Sequence, residues 1–520
     1  MKKLFKKVGG LRPKRNAFDL THEKKYTCDF GQLYPTICEF CVPGDTFKIG
    51  QQVVVRAHPM AAPVMQQIDY KLNVFFIPFR LIDDNFEDFY SKGQAGNYET
   101  PPKKWKPTSN DLQKGSLWDA FGLPLNPELL NLSNTSRVLP VEWIKRAYNI
   151  TINEYYRDQN LQTERELDDG TLFYRAYEKD YFTSGLPWQQ RGDYPAIPFE
   201  GLASVEFLGQ TLSSSAGGFT GSIALVGEQQ TNAYIMGSQG ASYTDSLKGW
   251  LERNRVNLDQ IVGLNVKDLR EIFAIQKWME RNARGGIRLT EIIQAHFGVS
   301  PRDERLQRPE YIGGLFSPVI VSEVLQTSET SNAGTPQGNM SGHGLSVSQN
   351  YVGTYRVKEP GIILGLSSIM AKASYMQGID RQFMVDSFMD LPWPEFTHLS
   401  ERATLNAELF VQGNDNPEDP NSDLGTHSYA GMYDEYRTRL SRVCGDFRDT
   451  LNYWHLARIF QSKPSLNADF IRQYGKSPDM KRIFLLEDPN VDSFMVNVAN
   501  IITAIRPLPS IAEPGLVDHN

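Results

Sequence analysis

Apolar and polar positions alternate along several separate stretches of this 520-residue chain. In 68–77, Ile68, Tyr70, Leu72, Val74 and Phe76 alternate with other side chains, the period-two mark of a strand with one face on a core. Pro78 closes that run, since proline cannot donate to a sheet ladder. Residues 46–56, 318–326, 362–376, 405–412 and 493–505 read as further strands. They lie far apart, which suits a Greek-key or jelly-roll sandwich with long excursions better than a meander. Pairing over such separations also predicts slow folding.

A second periodicity marks helices inside the excursions. Ile144, Ala147, Tyr148 and Ile152 share one face of a helix predicted over 141–157. Leu269, Ile272, Phe273, Gln276 and Met279 do the same over 266–283, and core packing is the expectation for both faces. A shorter helix begins at Thr290, with Gly298 placed to end it. Two stretches break the pattern. Residues 327–350 are rich in Gly, Ser and Asn, the composition of a linker. Residues 201–244 are equally Gly/Ser-rich, with Glu206 and Glu228 the only charges, yet they hold Phe207, Leu208, Phe219, Ile223, Leu225, Tyr234 and Ile235. That is too much apolar surface for a free linker, so a β-rich excursion packing on itself or on other copies is expected.

Composition places the chain among ordinary globular proteins: 40% hydrophobic, 22% charged. Charge changes the picture. The 54 basic and 61 acidic residues give −7, which excludes a body that is basic throughout. However, Lys2, Lys3, Lys6, Lys7, Arg12, Lys14 and Arg15 fall within residues 1–15 with no acid among them. Without these seven, 47 bases face 61 acids, a balance of −14. The chain reads as an acidic body with a basic arm. Seven cations on a single strand of nucleic acid would give a salt slope of at most about −5, with no sequence preference. An arm lying along a neighbouring subunit stays open as the other reading.

Candidate chemistry is sparse. The N-terminus lacks the apolar stretch of a signal peptide, and no run reaches the length of a membrane span, so neither secretion nor membrane insertion is expected. Cys38 and Cys41 form a C-x-x-C near Cys28, but a zinc ribbon needs a second pair and Cys444 is alone. Small buried strand residues are the better reading, and no metal or cofactor is expected. Gly475-Lys476-Ser477 imitates the end of a phosphate loop, with Phe470 where the opening glycine belongs. The eight histidines are scattered, with His398 and His427 near acidic residues. No catalytic residues are assigned, and no enzyme is expected.

Longer motifs carry more. Asn16-Ala17-Phe18-Asp19-Leu20-Thr21-His22, Pro43-Gly44-Asp45-Thr46-Phe47 and Phe76-Ile77-Pro78-Phe79-Arg80-Leu81 open the chain. Asn153-Glu154-Tyr155-Tyr156-Arg157-Asp158, Glu280-Arg281-Asn282-Ala283-Arg284-Gly285-Gly286, Leu306-Gln307-Arg308-Pro309-Glu310-Tyr311 and Pro514-Gly515-Leu516-Val517-Asp518-His519 follow in order. Together they resemble the major capsid proteins of the Microviridae, small single-stranded-DNA bacteriophages, and the gokushovirus branch above all. The likeness spans nearly everything except roughly 194–263. One departure is Pro360, where the family usually has a histidine.

The resemblance implies an eight-stranded viral jelly roll, an antiparallel β-sandwich that is mainly β with long helix-containing insertions. It implies a T=1 icosahedral shell of copies around a circular single-stranded DNA genome, in a virion assembled in the bacterial cytoplasm. Residues 1–15 would form the arm, 16–193 and 264–520 the jelly roll with its helical excursions. Residues 194–263 would form a variable insertion that makes protrusions on the three-fold axes, which either meet a host surface receptor or are purely architectural. Seven cations per copy are too few to neutralise a genome, so a small basic DNA-associated protein is a further expected partner. A jelly-roll carbohydrate-binding or hydrolytic protein is the alternative, and a dedicated nucleic-acid-binding protein a third.

Overall fold

A computed structural model describes residues 15–93, 97–192, 204–206, 255–257, 266–325, 340–416, 418–419, 421–486, 488 and 490–510. The chain divides into two compact units, Met1–Arg191 with Arg281–Asn520, and Gly192–Glu280.

The first unit is built on long antiparallel strands. In chain order they are β1 (Asn16–Asp19), β2 (His22–Cys28), β3 (Tyr34–Cys41), β4 (Thr46–Ala57) and β5 (Ile68–Pro78). After β6 (Ser204–Glu206) and β7 (Arg255–Asn257) of the second unit come β8 (Glu310–Leu325), β9 (Met340–Arg356) and β10 (Gly361–Ala371). A small pair, β11 (Arg402–Leu405) and β12 (Thr426–Ala430), precedes the last strand, β13 (Phe494–Arg506).

Two runs of four strands face each other. One is β2–β13–β4–β9, with β1 also on β13; the other is β8–β5–β10–β3. The β8–β9 hairpin joins them: β8 pairs with β5 through Val319 and with β9 from Ile320 onward. Between the runs lies the main core. Alternation sends Phe47, Ile49, Val53 and Val55 of β4 inward, with Val496, Val498 and Ile502 of β13. Tyr70, Leu72, Val74 and Phe76 of β5 meet them from the other run, as their spacing predicts. A satisfied polar bridge crosses this core, in which Tyr70 donates to Gln51 Oε1 and Gln51 donates to Asn500 Oδ1, both at 2.8 Å.

The second run is covered on its far face as well. Phe75 and Ile77 of β5 and Ile362, Leu364 and Leu366 of β10 pack beneath the helix Trp143–Thr151 and its π-helical continuation Ile152–Tyr156. All eleven residues of β10 are therefore buried, which is why 362–371 carries no charge and is apolar except at Ser367 and Ser368. Gly31, at φ 77°, makes the turn between β2 and β3, where an added Cβ would stand 2.0 Å from the Gln473 carbonyl oxygen. The Pro360 turn is tied down regardless of the missing histidine, since its carbonyl accepts from Phe79 N at 3.1 Å and Glu359 pairs with Arg80.

Five expectations need correction. Strand β10 stops at Ala371, and β8 begins eight residues before 318. Residues 405–412 are not a strand: Asn406–Leu409 form a short helix, because Glu408 accepts from Leu405 N at 2.8 Å and folds the backbone into a turn. The 327–350 stretch is not a linker throughout, since β9 starts at Met340; residues 327–339 lie outside the described residues. Finally, the helix Val266–Gly285 forms where expected, but Leu269, Phe273 and Trp278 are exposed and only Ala283 is buried. Ile272, Gln276 and Met279 of the expected face are half-buried. The following helix, Leu289–Phe297, ends at Gly298 in the left-handed conformation, as read from sequence. In the second unit β6 and β7 pair antiparallel, Ser204 opposite Asn257.

A third, smaller cluster holds Tyr181, Phe182, Tyr375, Leu409, Phe470 and Ile471. His427 is buried against it, its ring 5.1 Å from Phe470 and 6.2 Å from Phe182. It is a core histidine, not one among solvated carboxylates. Burial above all, with Arg458 and Lys463 adding, lowers its pKa to about 4. Between pH 6.5 and 4 the unfolded chain therefore binds a proton that the folded chain refuses. Stability falls as pH drops through that window, by about 3 kcal/mol in total. Urea unfolding of His427→Leu across the same range is expected to lose most of this slope; an unchanged slope would place it elsewhere.

Candidate assembly and nucleic-acid surfaces

The arm enters the body at Arg15, which is exposed. Its guanidinium lies over the β3–β4 turn, where an added Cβ on Gly44 would stand 3.3 Å away. Beside it is Asp45, fully buried, whose Oδ2 accepts from Val42 N at 3.1 Å and sits 3.5 Å from Arg506 Nε. Burial raises the pKa of this carboxyl, while the Val42 amide, Arg506 and Arg15 oppose the rise. The arm's last cation thus acts within its own chain, at a corner where the first and last strands meet. Lys2, Lys3, Lys6, Lys7, Arg12 and Lys14 lie outside the described residues, as do Phe207, Leu208, Phe219, Ile223, Leu225, Tyr234 and Ile235.

Strand β1, which follows the arm in sequence, belongs to the run β2–β13–β4–β9. Odd positions of β2 and even positions of β4 point away from the core, and they set out Lys25, Lys48 and Arg56. Arg356, opposite Thr46, is exposed beside them. Glu23 and Asp19 are the acids on the same face, and Glu23 already pairs with Lys25 at 2.7 Å. A shallow groove of about 510 Å³ crosses this face between Lys25, Arg56 and Met495. In a chain that is otherwise acidic, this is a face with a local excess of cations. Sequence alone did not single it out, although strand alternation carries the signal.

A larger hollow of about 790 Å³ opens above the second run, walled by Phe75, Tyr155, Tyr156 and Tyr311. Arg308 lies over the Tyr155 ring at 5.2 Å and Arg175 over Tyr156 at 5.0 Å. Arg308 pairs with Asp303 and Lys358 with Glu304, so much of the charge there is internally matched.

Cys28 and Cys41 are buried in the main core, and burial pushes the Cys38 thiol up to about 12. These are strand residues, as expected. Among the described residues no group of three or more His, Cys, Asp or Glu is placed to hold a metal ion, and no helix is long and apolar enough to cross a membrane. Ser477, in the loop that imitates a phosphate site, instead caps the helix Pro478–Lys481.

Large apolar side chains are exposed, among them Phe273, Phe297, Phe316, Phe383, Phe388 and Trp393. Where such side chains adjoin in a patch they mark contacts with other chains. The sequence profile of the capsid protein (F protein) family matches residues 7–516. This chain belongs to that capsid protein family. Capsid protein VP1 of Chlamydia phage 1 is 31% identical, over 99% of this chain and 98% of its own length. VP1 of Bdellovibrio phage phiMH2K is 29% identical over 98% and 97%, and VP1 of Spiroplasma virus 4 is 26% identical over 98% and 97%. The likeness to Microviridae of the gokushovirus branch, first visible in short motifs, therefore holds end to end. The chain is a major capsid protein and its place is the virion. The exposed apolar surface of this capsid protein, puzzling in a lone subunit, has the shell as its context.

Proposed function

We propose that this capsid protein is a viral jelly roll that closes into a T=1 icosahedral shell around a circular single-stranded DNA genome. Strand order is the observation that carries the fold reading. Counting β2, β3, β4, β5, β8, β9, β10 and β13 as first to eighth, the two runs read 1-8-3-6 and 5-4-7-2. That is the order produced when an antiparallel ribbon rolls up as two Greek keys. Strands β1, β6, β7, β11 and β12 are additions to it.

The basic arm faces the genome. Support comes from its root: Arg15 leaves from the edge of the run whose uncovered face carries Lys25, Lys48, Arg56 and Arg356. That face presents cations on an acidic subunit and the arm adjoins it in sequence, a combination that attracts a polyanion without sequence preference. A small basic DNA-associated protein supplies the remaining neutralisation, and assembly takes place in the bacterial cytoplasm. Residues 194–263 form protrusions at the three-fold axes that meet the host receptor; the separate compactness of Gly192–Glu280 supports an insertion that folds apart from the body.

Two measurements test this reading. Purified protein is expected to sediment as megadalton particles visible by electron microscopy; a persistent monomer or small oligomer would remove the shell. Deleting residues 1–15 is expected to lower the DNA content of particles, and unchanged DNA content would remove the arm from genome contact.

A further inference from the structure

Residues 379–402 form an irregular segment that is nonetheless held rigidly. The Asp390 carboxylate accepts from the backbone N–H groups of Asp386 at 3.1 Å and Ser387 at 2.8 Å, and it pairs with Arg402 and, at 3.6 Å, with Arg381. Arg381 also reaches Glu408, and Arg402 reaches Glu435, at 3.5 and 3.4 Å. Tyr433 donates to the Met389 carbonyl at 2.9 Å and Trp393 Nε1 to the Phe388 carbonyl at 2.8 Å. A loop tied down this thoroughly has little ordering entropy left to lose on contact. Its outward side chains are Phe383 (72% exposed), Val385, Phe388, Leu391 and Trp393. Asp386 and Glu395 are the exposed acids among them, and no exposed Lys or Arg lies within 383–399.

Residues 281–305 carry the opposite charge. Ile287, Leu289, Phe297 (75% exposed) and Val299 are exposed there. Arg281, Arg302 and Arg305 are exposed, whereas Glu291, Asp303 and Glu304 are only partly so and each pairs with a cation. The two segments meet within one copy where Arg284 pairs with Glu401, next in sequence to the anchoring Arg402.

We infer that these adjoining apolar halves, one acidic and one basic, are a docking surface for a second copy of this capsid protein, acidic half against basic half. An apolar surface with its charges segregated this way is complementary to its own two-fold rotated image, because each acidic half then faces a basic one. The inference rests on the shell reading for its occupant and adds which surface makes the contact. A host surface or a minor virion protein would need complementarity to only one half.

Charge reversal tests it in assembled particles. Asp386→Arg with Glu395→Arg, and separately Arg302→Glu with Arg305→Glu, are each expected to cut particle yield by about tenfold or more, because like charges then meet. The chain carrying all four changes is expected to recover particles, and so is a mixture of the two reversed chains. Thermal melting of the unassembled subunits should be unchanged, since all four side chains are exposed; a reversed pair that lowers it is replaced by Phe383→Ser with Trp393→Ser, expected to reduce yield equally. Normal yield from the reversed chains, or no recovery on combining them, overturns the inference. Particles that form normally but no longer adsorb to cells also overturn it and assign the surface to the host. Failure of the unaltered protein to form particles would instead remove the shell reading.

Discussion

Lys481→Met is expected to destabilise the subunit by about 3–5 kcal/mol, the usual result of breaking one side of a buried ion pair. Lys481 is 9% exposed and its partner Asp29 is fully buried. The ammonium group donates to Asp29 Oδ1, to the Val491 carbonyl at 2.7 Å and to Ser493 Oγ at 3.0 Å, so each of its protons is used. On the other side, Ser493 N and Oγ donate to the same Asp29 oxygen at 2.9 and 2.7 Å. Methionine fills the volume but leaves a buried carboxylate with only serine donors. Asp492 stands close by, its own carboxyl raised by burial and by Asp29, so the uncompensated charge has a like neighbour. Because the penalty comes from the stranded charge, Lys481→Met combined with Asp29→Asn should cost less than Lys481→Met alone. Urea unfolding of the unassembled subunit decides the point. Additive losses would mean that the two groups contribute independently.

Tyr148→Ala should also cost about 3–5 kcal/mol, for a different reason. Tyr148 is fully buried on the helix Trp143–Thr151 and fastens that helix to the second run of strands. Its hydroxyl donates to the Leu33 carbonyl at 2.8 Å and accepts from Phe173 N at 3.0 Å, while Arg165 lies over its ring at 5.9 Å. Alanine opens a cavity and leaves two backbone groups without those partners. Tyr148→Phe keeps the ring and removes only the hydroxyl, so about 1–3 kcal/mol is expected. The difference between the two variants separates packing from hydrogen bonding. If Tyr148→Phe proved as damaging as Tyr148→Ala, the hydroxyl rather than the ring would dominate.

Sequence reading succeeded where burial is one-sided or complete. Tyr70, Leu72 and Val74 alternate because β5 offers the main core one face, and β13 spans Phe494–Arg506 where 493–505 had been read. It failed where partners far away define the strand. Nothing local in the Gly- and Ser-rich Met340–Asn350 favours an extended chain; pairing with β4 and β8 imposes it. Residues 405–412 failed in the other sense, since apolar content suggested a strand and the carboxylate of Glu408 turned the backbone. For the surfaces, the arm's charge was plain, but the Arg15–Asp45–Arg506 corner joins residues from both ends of the chain. The exposed Leu269 and Phe273 were expected in a core because periodicity reports an apolar side without saying what covers it.

The placement of β13 bears on synthesis. The last long strand lies between β2 and β4, which are among the first to be made. About 440 residues separate the end of β4 from the start of β13. At roughly 5–20 residues per second, a ribosome needs about 20–90 s to cover that distance. For that interval β2 and β4 wait without the neighbour that both require, so the sandwich closes only once β13 has been made. A copy in which β13 is not yet made has no finished sandwich to offer a growing shell, and arrival of that strand is itself the signal that the sandwich is ready.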